Sequence, residues 1–136
     1  MLHQAILDAW LADVGQPTAP SDPFRNPVGH AIRDALPVLL DVVLGRVPVI
    51  EVRAPLEHLM RIRAVQDCTP AQAVAFLFAL KPLVRDRMGL DAATEDRIDR
   101  LALLAFDQYL RCREQAHVIQ LRELQRRAQW NERLRA

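Results

Sequence analysis

Apolar residues recur along this chain at intervals of three and four, interrupted at a few points by proline or glycine. Leu2, Ala5, Ile6, Ala9 and Trp10 share one side of a helical wheel and predict a short first helix. "VGQPTAPSDPFRNP" follows, with four of the nine prolines, and reads as the one long irregular stretch. Asn26 then suits an N-cap, and Pro27 suits the first helical position, where its missing N–H costs nothing. The stripe Val28, Ile32, Leu36, Leu39, Leu40 and Val43 runs to Gly45, a C-terminal stop, with Pro37 predicted to kink the helix on the way. "RVPVIEVRAP" reads as extended chain or loop.

A third helix is expected over roughly residues 55–67, on Leu56, Leu59, Met60 and Ile62. Thr69 and Pro70 repeat the cap-then-proline start, and "AQAVAFLFAL" is apolar nearly all round, the pattern of a central buried helix. Pro82 bends or ends that helix early and Gly89 closes it. From Asp91 to Ala136 there is neither proline nor glycine. A helix from about Thr94 to Arg135 would be roughly 63 Å long at 1.5 Å per residue. Its first half, "IDRLALLAFDQYL", has the composition of a core, and its second half is polar with a thin apolar stripe. No strand pair with hairpin turns occurs, so the predicted fold class is all-α. The pattern divides the chain into a helical domain over residues 1–116 and a C-terminal helical extension over 117–136.

Composition narrows the function more than it identifies it. The 136 residues suit one domain, and a net charge of +1 provides no strong field toward nucleic acid or membrane. "MLHQAILDAWLADVG" lacks a basic n-region, and no apolar run approaches the ~18 residues that span a bilayer. The expectation is a cytoplasmic protein in which Cys68 and Cys112, far apart and without a CxxC, stay reduced. The only serine, Ser21, has no GxSxG elbow. His3, His30, His58 and His117 do not pair at helical metal-ligand spacing, and the four glycines are isolated. No catalytic, metal or cofactor residues are assigned, and the chain reads as a non-enzyme.

Two stretches stand out as candidate interaction sites. In "NPVGHAIRD", His30 lies opposite Ile32, Leu36 and Leu39 and shares a face with Asp34 and Asp41. That face is either solvated, with a His30–Asp34 contact contributing a few tenths of a kcal/mol, or a polar patch read by a partner protein. In "RIRAVQDCTPAQAVAF", Arg63 and Asp67 are four residues apart, close to the apolar side with Leu56 and Met60. Either they form a partly buried ion pair that fixes this helix against the next, or they line a pocket or interface.

Together "FRNPVGHAIRDAL", "RIRAVQDCTPAQAVAFLFALK" and "RIDRLALLAFDQYLRCRE" resemble the N-terminal domain of the RsbR/RsbRD-type co-antagonists of the stressosome, from about Trp10 to Glu114. The resemblance implies a globin-like helical bundle that binds no haem, forms a homodimer and serves as a sensory or protein-interaction module. In full-length co-antagonists a helical linker joins this domain to a STAS output domain. The chain is similar here to a stand-alone form, and also to DsrT-type proteins encoded beside the Dsr membrane complex of sulfur metabolism. The residues agree on haem, because the apolar helix over 70–88 holds no histidine, and His58 and His117 sit among charges such as Glu57 and Glu114. Three readings follow: a signalling adaptor that dimerises, an accessory of a sulfur-metabolism complex, and a nucleic-acid binder using the C-terminal helix. From Arg111 to Ala136 seven arginines face three glutamates, a density better suited to a solvated coiled-coil flank than to a nucleic-acid face. Along it His117, Leu121, Leu124, Ala128 and Asn131 form a seam with weak a/d residues, and Trp130 is a candidate for docking on a partner.

Overall fold

The computed structural model describes residues 2–14, 27–66 and 68–135, and these form an all-α bundle. Six α-helices follow in order: α1 (Leu2–Val14), α2 (Pro27–Val43), α3 (Arg53–Val65), α4 (Pro70–Phe78), α5 (Leu80–Met88) and α6 (Ala92–Arg135). The long C-terminal helix anticipated from the sequence is α6, at 44 residues roughly 66 Å. It packs along α3 and α4, α2 packs on α3 and touches α6, and α1 rests on α2 and α5. Trp10, Leu36, Leu39, Leu56, Leu59, Met60, Leu77, Leu80, Ile98 and Leu101 fill one shared core.

Local chemistry sets most boundaries. Pro27 opens α2, while the expected cap Asn26 and the proline-rich stretch lie outside the described residues. The helix continues through Pro37 to Val43. There the Gly45 N–H donates to the Val42 carbonyl and the Arg46 N–H to that of Asp41, the two bonds of a Schellman motif. Gly45 takes φ of 75°, a conformation that costs glycine little. The neighbouring Val43 carbonyl accepts from Arg97 Nε of α6 at 2.7 Å, so α2 ends tied to α6. At the start of α4 the Thr69 hydroxyl accepts from the Gln72 N–H at 3.1 Å, and the Gln72 side chain accepts from the Thr69 N–H at 2.9 Å, a complete capping box.

Three sequence expectations are corrected, and the early end expected at Pro82 is found. "RVPVIEVRAP" is not extended: Val49–Val52 is a 3₁₀ turn that runs straight into α3, whose third residue Pro55 needs no N–H partner. The third helix covers 53–65 instead of 55–67, ending where Gln66 turns extended. As expected at Pro82, the helix over residues 70–88 is interrupted: it is two helices broken at Ala79, because Pro82 supplies no N–H to the Phe78 carbonyl and its ring crowds that oxygen. Nor is α4 buried all round, since Phe78 is exposed and Val74 half-exposed; the axis of the bundle is the α3–α6 pair.

Candidate functional site

The second candidate stretch folds into the most elaborately tied corner of the molecule. Phe76 of α4 stacks on Trp10 of α1, with ring centroids 6.2 Å apart. The Trp10 indole N–H donates to the Phe76 carbonyl at 2.8 Å, beside the break between α4 and α5. On Phe76 lies the guanidinium of Arg63, 5.5 Å from the ring centroid, so the end of α3 is held to α4 through a cation–π contact. Asp67, the acid expected to pair with Arg63, lies outside the described residues. Among those described, the buried Arg63 Nε has no acceptor.

Side chains of α6 complete this corner. The Tyr109 hydroxyl donates to the Cys68 carbonyl at 2.6 Å, and Arg113 Nη1 donates to the Ala64 carbonyl at 2.8 Å. Both acceptors belong to the end of α3 and the short link to α4, where main-chain carbonyls have run out of helical partners. Farther back, Gln108 donates from Nε2 to the Arg53 carbonyl at 3.2 Å. Sequence reasoning missed Tyr109, Arg113 and Gln108. For Gln108 and Tyr109 the available signal was their place on the same side of α6 as Leu101, Ala105 and Cys112, where a polar side chain must find a partner. Cys68 is half-buried and Cys112 buried, both with free thiols.

The first candidate stretch lies on α2. His30 Nε2 is 3.4 Å from Asp34 Oδ2, and Asp34 is exposed, so the i,i+4 contact is present on a face open to solvent. Asp41 departs from the expected solvent face: it accepts from or pairs with His3 Nε2 at 2.9 Å, joining α2 to α1. Neither His30 nor Asp34 contacts Arg63, and Trp130 stands apart from both, 60% exposed near the end of α6.

The surface of α6 differs from the expected core-like first half. Leu103, Phe106 and Leu110 point outward, with Leu103 69% exposed. Beyond Ala116 every described side chain except Glu123 is exposed. Glu123 is held below its usual range by hydrogen bonding from Arg126, with Arg127 adding to it, so part of the arginine-rich segment is neutralised internally. At the other end the Asp91 carboxylate accepts the Thr94 N–H at 2.7 Å, and Thr94 hydrogen bonding keeps it below the normal aspartate range. Lys81 binds Asp99 at 2.8 Å and Glu95 at 3.5 Å while lying over Phe78; the Asp99 bond raises its ammonium above the ordinary lysine value.

Among the described residues no three His, Cys, Asp or Glu side chains gather as a metal site, and no helix is long and apolar enough to cross a membrane. His58 and His117 are both exposed. What remains is an all-α domain whose polar side chains chiefly serve helix ends and each other. The chain belongs to the family of the RsbT co-antagonist protein rsbRD N-terminal domain, whose profile matches residues 2–124. That places it at family level among stressosome-type signalling domains, a regulatory class and not a known enzyme family. No curated protein and no solved structure matches the chain.

Proposed function

We propose that the domain is a non-catalytic sensor or adaptor that forms a homodimer and engages a second protein in cytoplasmic signalling or regulation. The observation that carries this reading is the run of α6 beyond Ala116, where Val118, Ile119, Leu121, Leu124, Trp130 and Leu134 have no cover from the body. A helix of this composition is marginal in isolation, which supports a partner packing against it. Ile119 and Trp130 continue the azimuth of Cys112, and Leu121 and Leu124 lie on the outer side, leaving one side of the extension for a client and one for self-association. His30 and Asp34 offer a second, polar contact surface on α2. The exposed positions of His58 and His117 favour a non-haem domain. The pairing of Glu123 with two arginines speaks against nucleic acid as the occupant. Sedimentation of the intact protein beside a version lacking residues 118–136 tests the reading. The shortened chain should keep its helical body and self-associate more weakly. A monomer in both cases at tens of micromolar would remove the homodimer and leave the extension as a client-binding arm.

A further inference from the structure

Shortly before α6 leaves the body, it meets the start of α3 at a polar depression of about 230 Å³. Arg53 and Glu57 line it from α3, and Gln108, Arg111 and Gln115 from α6. Leu104 and Cys112 supply its apolar part. At about 100° per residue Leu104, Gln108, Arg111 and Gln115 fall in a sector about 60° wide, so α6 offers them as one face. The volume lies below the ~300–1,000 Å³ of sites that take drug-sized ligands, which suits an occupant of a few heavy atoms.

Three hydrogen-bonding groups of this depression are unspent. The Arg53 guanidinium has no acceptor among the described residues. Arg111 gives Nη2 to Asp107 at 2.7 Å and keeps its other nitrogens. Gln108 is the third and is only 7% exposed. The Arg53 carbonyl that it meets can only accept, so Nε2 must face that carbonyl and Oε1 must point away. Oε1 is then buried with no donor among the described residues, a condition rare in native folds. The Nε2 bond, at 3.2 Å, is at the long end of its range, so a small turn of the amide presents Oε1 to an occupant.

We infer that this depression binds a small carboxylate carrying a hydroxyl or amino group of its own, with the carboxylate on Arg53 and Arg111 and the donor on Gln108 Oε1. A guanidinium sets two N–H groups side by side at the spacing of the two carboxylate oxygens. Glu57 limits the charge of the occupant. Its Oε1 is held by Arg61 at 2.7 Å, and its Oε2 has no donor among the described residues. Two arginines against this one glutamate leave the lining singly positive, which fits one carboxylate better than a dianion. Oε2 of Glu57 also offers an acceptor to an amino group.

The position gives such binding a consequence. An occupant held by Arg53 and Arg111 joins the first turn of α3 to the part of α6 from which the extension departs. The site goes beyond the adaptor reading, which sedimentation tests and ligand binding does not.

Lactate, alanine and propionate probe the site, since they share a carbon frame and a carboxylate but carry a hydroxyl, an amino group and neither. Each is titrated into the nitrogen-15-labelled full chain, following the side-chain amide signals of Gln108, assigned by their loss in Gln108→Glu. Lactate or alanine should move these signals saturably, and propionate should bind several-fold more weakly. Inorganic phosphate, the comparison oxyanion, should bind more weakly than the better of the two. Arg53→Gln alters an exposed side chain and keeps the carbonyl that Gln108 uses, so the thermal midpoint should hold. It should weaken binding by about ten-fold or more, as loss of a charge-assisted pair implies. Arg133→Gln removes the same charge at the far end of α6 and should leave binding unchanged. Equal affinity for all three carboxylates would overturn the role of Gln108, and tighter binding of phosphate would overturn the carboxylate. Equal weakening by the two arginine variants would reduce the site to general charge attraction. No saturable shift with any probe would remove the site and leave the adaptor reading standing.

Discussion

Replacing Trp10 with phenylalanine tests whether the α1–α4 contact is as central as its geometry implies. Trp10 is 0% exposed, stacks on Phe76 and donates its indole N–H to the Phe76 carbonyl. Trp10→Phe keeps an aromatic ring in the core but removes the donor. Leaving a buried acceptor without its partner costs about 1–3 kcal/mol. The smaller ring also leaves a gap, adding about 1 kcal/mol, a fraction of the ~3–5 kcal/mol lost when a whole buried aromatic is removed. A total near 3 kcal/mol would consume much of the ~5–15 kcal/mol that holds a typical domain folded. With a urea slope of about 2 kcal/mol/M, the midpoint should fall by roughly 1.5 M. Circular dichroism follows this without relying on tryptophan emission. Trp130→Phe, at an exposed site, is the matched control and should move the midpoint hardly at all. Equal shifts for the two variants, or a Trp10→Phe shift indistinguishable from zero, would refute the assignment of the indole–carbonyl bond to the core.

Thr69→Ala should cost about 1 kcal/mol by dismantling the capping box that starts α4, read as a lower thermal midpoint, whereas Thr69→Asp should retain most of the stability. His30→Ala should leave the melting temperature within the effect of ~0.5 kcal/mol expected of a surface change; a large drop would show that this face of α2 is packed. Asp91 predicts an acid dependence: its carboxyl is depressed in the folded state, so its stabilisation is complete above about pH 4 and is lost as pH falls through the lower folded value. Asp91→Asn, still able to cap α6, should flatten the decline in melting temperature between pH 4.5 and pH 2.5 relative to the parent (both pH limits approximate). Parallel declines would refute the role of the Asp91 charge.

The elements legible in the sequence were those governed by neighbours in the chain. Pro27, Gly45, the Thr69 cap and the uninterrupted final helix each act within a few residues, and each is where the pattern placed it. Ties that span the fold left no comparable trace. Tyr109 reaches the Cys68 carbonyl, Arg113 that of Ala64 and Arg97 that of Val43, and a backbone carbonyl looks the same in every residue type. The same limit hid the outward face of α6. Leu103, Phe106 and Leu110 are as apolar as the buried Leu101 and Ala105, and composition alone does not tell which side another helix will occupy. Asp41 was misplaced for a related reason, since α1 arrives to meet it from the far end of the chain.

The continuity of α6 makes it a lever with a fixed phase. Cys112 sits in the core and Trp130 is 18 residues on, five helical turns or about 27 Å, so the indole shares the azimuth of a residue anchored in the body. No proline or glycine between them supplies a hinge. A tilt or rotation imposed on the body therefore reaches the far end as a larger sweep of the same sense. Adding one residue after Ala116 would swing Trp130 by about 100° while advancing it only about 1.5 Å, whereas adding seven would restore its bearing to within about 20°. Any partner that reads this end of the molecule reads an angle as well as a side chain.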